Sequence, residues 1–140
     1  HQKEWEKLSG IDLASQTEDR SREAVQSFPK GTVIVEKGPH TRIWTSGQEE
    51  GYQLDVGGPY QATGGMGDTL AGMIAGFAGQ FPQVSLYERV VVATYLHSAI
   101  AEDLSKEAYV VLPTTISQEI PKWMKKWSDK DQVISIENRK

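Results

Sequence analysis

Cysteine is absent from the 140-residue chain, which excludes disulfide frameworks and thiolate metal sites. An excess of positive charge is also missing. Fifteen basic residues stand against 19 acidic ones, for a formal net charge of −4, which argues against a nucleic-acid partner. No apolar run is long enough to cross a bilayer: the longest small and apolar stretch, Thr69 to Gly79, is short and rich in glycine. No secretory signal opens the chain, and it begins at His1 rather than Met. A cytoplasmic protein with no membrane partner is therefore expected, with its true N-terminus elsewhere. What remains, 38% hydrophobic and 24% charged residues, is the balance of one soluble globular domain.

Along the chain, Gln2 to Leu8 reads as a short helix with Trp5 and Leu8 on one side, stopped by Ser9-Gly10. Thr17 caps a second helix, with Glu18 and Asp19 in its first turn and Ala24, Val25 and Phe28 as its inner face. After Pro29-Lys30-Gly31, the β-branched run Thr32 to Val35 predicts a strand covered on both faces. Lys37 to His40 is a turn, Thr41 to Trp44 a returning strand, and Gly51 to Val56 a further strand. A glycine-rich loop, Gly57 to Gly67, leads to a helix opened by Asp68 and ending near Gly79. Leu86, Val90, Ala93, His97, Ile100 and Leu104 recur at helical spacing. Pro113 and Thr114 begin a last helix with Ile116, Ile120, Trp123, Met124 and Trp127 on one stripe, and Pro121 predicts a kink or break in it. The tail from Ser128 is polar, and Val133 to Ile136 within it could pair as an edge strand. The class is α/β, and it looks incomplete: a strand apolar on both faces needs neighbours and helices that this inventory does not supply. The chain reads as the C-terminal half of a larger domain.

The stretch richest in chemistry is Ala62 to Gly72. Glycines at 64, 65 and 67 let the backbone take positive φ and turn its N–H groups into one concavity. A helix begins at once, so its free amides and dipole face the same point. Such an anion hole, from Gly64, Gly65, Met66 and Gly67, stabilises a phosphate or a phosphoryl group in transfer. No Gly-Lys-Ser/Thr follows, so it is not a Walker loop. Asp68 stands at its mouth with two readings open: a base that takes a proton from a substrate hydroxyl, or simply a helix cap.

Gly64 to Gly72 resembles the G-x-G-D signature of the ribokinase-like superfamily. His1-Gln2-Lys3-Glu4 resembles a Pro-His-x-x-Glu segment, lacking the Pro. Lys37 to Ile43 resembles a Lys-Gly-x-x-Thr-x-Ile hairpin, and Tyr95 to Ala99 a later helix of the same proteins. Order and spacing are similar to the ADP-dependent NAD(P)H-hydrate dehydratases, over nearly all of this chain but only the C-terminal half of their domain. The resemblance implies a ribokinase-like three-layer α/β/α sandwich. It implies that Lys37, Gly38, Pro39, His40 and Thr41 line an adenine-nucleotide site and that the Gly67 amide meets a nucleotide phosphate. Asp68 then contacts the hydrated nicotinamide and acts as base, and His1 reaches the same substrate. ADP or ATP is the implied co-substrate, with Mg²⁺ held by phosphates and water rather than by protein. The implied reaction phosphorylates the 6-hydroxyl of hydrated NADH or NADPH and expels it as phosphate. The rival readings are a ribokinase-like kinase of a vitamin precursor or sugar, and an idle adenine-nucleotide-binding module. The expected partners are the N-terminal half of the domain and further copies in a homo-oligomer.

Several residues also carry plainer readings. Lys37, taken alone, is a solvated turn lysine, and His40 an exposed side chain whose backbone is the useful part. His97, inside an apolar stripe, reads as a hydrogen-bonded core histidine. Gly72 and Gly76 read as permitting close helix packing, Trp123 and Trp127 as a core or interface stripe, and Lys122, Lys125, Lys126 and Lys130 as a solvated face.

Overall fold

A capping box opens the first helix. His1 Nδ1 accepts from the Lys3 amide, the Glu4 carboxylate accepts from the His1 backbone nitrogen, and left-handed Gly10 closes α1 (Gln2–Ser9). The computed structural model describes residues 1–59 and 63–137. Trp5 is buried, whereas Leu8, expected beside it, is 65% exposed at the helix end, past the cluster that covers Trp5. The Thr17 hydroxyl accepts from the Arg20 amide to start α2 (Glu18–Val25).

Strands β1 (Val33–Glu36), β2 (Arg42–Thr45) and β3 (Tyr52–Gln53) form an antiparallel sheet in that order. The last is shorter than the Gly51 to Val56 expected. Ile34 stands opposite Trp44 and Val35 opposite Ile43, so the two-residue period sorts them to opposite faces. Ile34 and Trp44 pack with Trp5, Val25 and Phe28. Val33, Val35 and Ile43 pack with Leu54, Val90 and Ile74 on the other side. Helices thus cover both faces of the sheet, in the α/β/α layering the resemblance implied. Both faces of β1 are covered as its β-branched run predicts, but its apolar side chains stay half-buried, because β1 is an edge strand with no partner on its outer side among the described residues.

Helices α3 (Met66–Ala78), α4 (Leu86–Ser105) and α5 (Pro113–Glu137) complete the fold. A third apolar cluster joins Met66 and Met73 of α3, Leu96 and Ile100 of α4, and Ile116 of α5. Trp123 and Trp127 pack against it, with Trp127 6.3 Å from the Tyr95 ring. The single apolar stripe expected of α4 understates it, since Leu96, Ala99 and Ala101 are buried too, while Leu86 is 41% exposed. A helix lying between a sheet and two other helices has little face left for water.

Four expectations are corrected. Helix α3 opens at Met66, with Gly65 as its N-cap, so Asp68 is its third residue and caps nothing. Gly72 and Gly76 are exposed, with open space where a Cβ would point, so neither sits at a helix contact within the chain. Helix α5 runs through Pro121 as one element; Pro121 and Ser117, whose carbonyl loses its amide donor, both lie on the exposed side. Val133 to Ile136 continue α5 rather than forming an edge strand, because extending a formed helix gains a hydrogen bond per residue, while a strand needs a partner edge. No helix among the described residues is long and apolar enough to cross a membrane.

Candidate functional site

A cavity of about 620 Å³ opens where four elements meet. His1 and Gln2 reach it from the start of α1, Lys37 to Pro39 and Thr41 from the β1–β2 turn, and Met66, Gly67 and Leu70 from the start of α3. Thr94, His97 and Ser98 of α4 line it as well, and the segment Val56 to Pro59 closes a further side. Residues more than ninety positions apart are therefore neighbours in one wall.

The β1–β2 turn is held from beneath. Glu36, buried at the end of β1, accepts a 2.9 Å hydrogen bond from Trp44 Nε1 and a 3.1 Å bond from Ser21 Oγ, while Trp5 Nε1 donates to Ser21 at 3.0 Å. A buried carboxylate is costly unless its oxygens are met by donors, and here Ser21 of α2 meets one and Trp44 of β2 the other. Thr41 Oγ1 donates across the turn to the Gly38 carbonyl at 3.4 Å, and the turn touches α1, with Gln2 Nε2 3.7 Å from where a Gly38 Cβ would stand. Lys37, next to Glu36, is thereby fixed at its root. Glu36 was missed in the sequence, although alternation along β1 puts it on the same face as Ile34, toward two tryptophans able to donate.

The opposite wall is made of backbone. Of the loop glycines, Gly65 takes the left-handed conformation, φ 88°, and Gly64 and Gly67 do not. The turn therefore rests on one residue, with the Pro113 ring 3.3 Å from a would-be Gly65 Cβ. At Gly67 a Cβ would lie 3.2 Å from Lys37 Nζ. The lysine ammonium thus lies against the first turn of α3, where helical amides have no partner within the helix. An ammonium beside a helix N-terminus favours an anion from two directions.

The expected site residues divide. His1, Lys37, Gly38, Pro39, Thr41, Met66 and Gly67 line the cavity together, and Gly64, Gly65, His40 and Asp68 do not. Asp68 is exposed one residue beyond Gly67, with no hydrogen bond or ion pair to any described residue. His40 is exposed on the turn. Ala62, in the glycine-rich stretch, lies outside the described residues. Among the described residues no group of three or more His, Asp or Glu side chains could hold a metal ion.

His97 departs from the plain core reading. It is 4% exposed, yet it lines the cavity, and its Nε2 has no hydrogen-bond partner among the described residues. Burial holds the ring below the usual histidine range, the Lys37 ammonium pushes the same way, and a hydrogen bond to the Met66 backbone opposes both.

A family model described as NAD(P)H-hydrate dehydratase matches residues 1–122. The chain is 72% identical over 125 residues to an ADP-dependent (S)-NAD(P)H-hydrate dehydratase of Streptococcus pneumoniae, covering 89% of this chain and 43% of that protein. It superimposes with a TM-score of 0.82 and 46% identity on a ribokinase-like superfamily protein from Enterococcus faecalis, covering 91% of this chain and 43% of that one. A Bacillus subtilis ADP/ATP-dependent NAD(P)H-hydrate dehydratase, co-crystallized with ATP/Mg²⁺, matches with a TM-score of 0.76 and 29% identity, over 90% of this chain and 46% of the other. The chain spans less than half the length of each of these proteins.

Proposed function

Because the chain belongs to the NAD(P)H-hydrate dehydratase family and has a ribokinase-like fold, we propose that it serves an ADP-dependent lyase that restores NADH and NADPH from their 6-hydroxylated forms. The observation that carries this reading is the Lys37 ammonium lying against Gly67 at the start of α3, inside a cavity large enough for a nucleotide.

In this reading the adenine nucleotide lies along the Lys37–Thr41 turn, with its terminal phosphate between the Lys37 ammonium and the Gly67 amide. Both groups stabilise the charge of the transferring phosphoryl group, and both are in place before the reaction. Asp68 takes the proton of the ring hydroxyl. That oxygen bonds to phosphorus as the bond from phosphorus to the nucleotide breaks, leaving AMP when ADP is the donor. The ring then expels inorganic phosphate and loses a neighbouring proton, which restores the dihydronicotinamide. His1, on the cavity rim, contacts the same substrate. Mg²⁺, when bound, would neutralise phosphate charge, held by phosphates and water.

The free carboxylate of Asp68, the exposed Gly72 and Gly76, and the unpaired edge of β1 all fit a domain whose N-terminal half covers them. The test uses the protein at its full natural length with hydrated NADH, ADP and Mg²⁺. Recovery of dihydronicotinamide absorbance with release of AMP and phosphate is expected. Phosphoryl transfer to another small alcohol, with no recovery, would favour the kinase reading; nucleotide binding without turnover would favour the idle module.

A further inference from the structure

We propose that Glu102 is a positioning residue of the nucleotide site, one that holds the Val56 to Pro59 wall of the cavity in place through the Gly57 amide. This rests on the adenine-nucleotide reading of the cavity. The Gly57 N–H donates to Glu102 Oε2 at 3.1 Å, across 45 positions of sequence. Among the described residues it is the only hydrogen bond that residues 55–59 make. Val56 packs with the Ile43 cluster, so the part in need of an anchor starts at Gly57. Gly57 takes φ 120°, and Gly58 and Pro59 follow it. Two adjacent glycines bring no side chain to pack and lose the most freedom on ordering, and a proline has no amide to donate. A wall of that composition does not hold its own shape, so its place is set by what grips it.

The anchor stands on fixed ground. Glu102 follows Thr94 and Ser98 at steps of four along α4, which sets it one turn beyond two cavity-lining residues, on the same face. The backbone beneath it is held by Ile100 and Ala101, both fully buried. Glu102 itself does not line the cavity and reaches a ligand only through the backbone it holds. Which ligand follows from where the segment starts. The Leu54 amide donates to the Thr41 carbonyl at 2.9 Å. The chain therefore leaves β3 against the end of the Lys37 to Thr41 turn, along which the nucleotide lies in the reading above. Misplacing the wall should loosen ADP and spare hydrated NADH, which that reading holds from His1 and Asp68.

The experiment compares Glu102→Gln, Glu102→Asp and Glu102→Ala in the full-length protein, by calorimetry with ADP and by steady-state kinetics with ADP and hydrated NADH. Glu102→Gln keeps an acceptor oxygen at the same reach, whereas Glu102→Asp keeps the charge but falls one methylene short of the amide. Glu102→Ala and Glu102→Asp should bind ADP about five-fold more weakly than wild type. The loss should fall on KM for ADP rather than on kcat, and Glu102→Gln should stay within about two-fold of wild type. A role through charge predicts that Glu102→Asp stays closest to wild type, and a general folding role predicts that all three variants keep their ADP affinity once folded. Either result, or a loss that falls on KM for hydrated NADH instead, overturns the proposal and leaves the nucleotide reading intact. Should Glu102→Ala fail to fold, the contrast between Glu102→Asp and Glu102→Gln decides. Absence of ADP binding to the wild type overturns both.

Discussion

The two walls of the cavity are built in opposite ways. Behind Lys37 the buried carboxylate is fully met: Glu36 takes hydrogen bonds from Trp44 and Ser21, and Ser21 takes one from Trp5. At the start of α3 little is spoken for. Asp68 has no partner among the described residues, His97 Nε2 has none either, and a lysine ammonium lies against bare backbone. A satisfied network lowers the energy of the fold and has nothing left to offer a ligand. Unpaired groups cost stability, and they persist where something else meets them. The turn wall should therefore report on stability and the α3 wall on chemistry.

The largest effect is expected from Asp68→Asn. The substitution keeps shape and removes the proton acceptor, so turnover of hydrated NADH should fall by about 10²–10⁴-fold. Because Gly65, not Asp68, caps α3, the variant should melt near the wild-type temperature and still bind ADP. Near-normal turnover would remove Asp68 from the reaction and leave the α3 wall a phosphate cradle.

Next comes Trp44→Ala on the other wall. It empties a fully buried site and strips Glu36 of a donor, so a stability loss of about 3–5 kcal/mol is expected in denaturant titration. A variant that stayed as stable as wild type while losing turnover would invert the comparison.

Lys37→Ala lies where the walls touch. ADP binding should weaken by about 1–3 kcal/mol, roughly 5- to 150-fold, if the ammonium meets a phosphate. Calorimetry giving equal ADP affinity for variant and wild type would dissociate the ammonium from the cradle.

A smaller effect is expected from acid. The folded ring of His97 titrates below the ordinary histidine value of about 6.5, through burial first and then Lys37, with the Met66 backbone opposing. The unfolded chain therefore takes up the proton first as pH falls. The stability His97 contributes is present above about pH 6.5 and is lost as pH drops through the lower folded value. His97→Gln should flatten that part of the stability profile; an unchanged slope would show that other groups set it.

The smallest effect is reserved for His40→Ala. His40 is exposed on the turn and does not line the cavity, so stability and ADP affinity should stay within about 0.5 kcal/mol of wild type. A clear loss of ADP binding would mean that its side chain, and not only its backbone, belongs to the turn wall.

Much of this was legible in the sequence where local chemistry decides. The Thr17 cap, the turn after Glu36 and the stripe through Ile116, Trp123 and Trp127 all follow from short-range rules, and the structure has them. The motif around Gly65 to Asp68 pointed to an anion site, but the glycines were credited with one role when they have two. Gly65 supplies the left-handed turn, whereas Gly67 lies where Lys37, thirty positions earlier in the chain, ends beside it. Leu8 and Leu86 were expected inside and lie outside, since periodicity marks which way a side chain points and not whether another element arrives to cover it.

What the sequence by itself determined is the set of elements and the chemistry each carries, because caps, turns and apolar periods act over a few residues. Tertiary structure alone decided which of those chemistries share a space. It set the Lys37 ammonium against Gly67, turned Glu36 toward Trp44 and Ser21, and placed the buried His97 at the edge of the cavity. Those outcomes depend on packing between segments far apart in the chain, where a position's meaning is fixed by its neighbours in space and no local pattern records them.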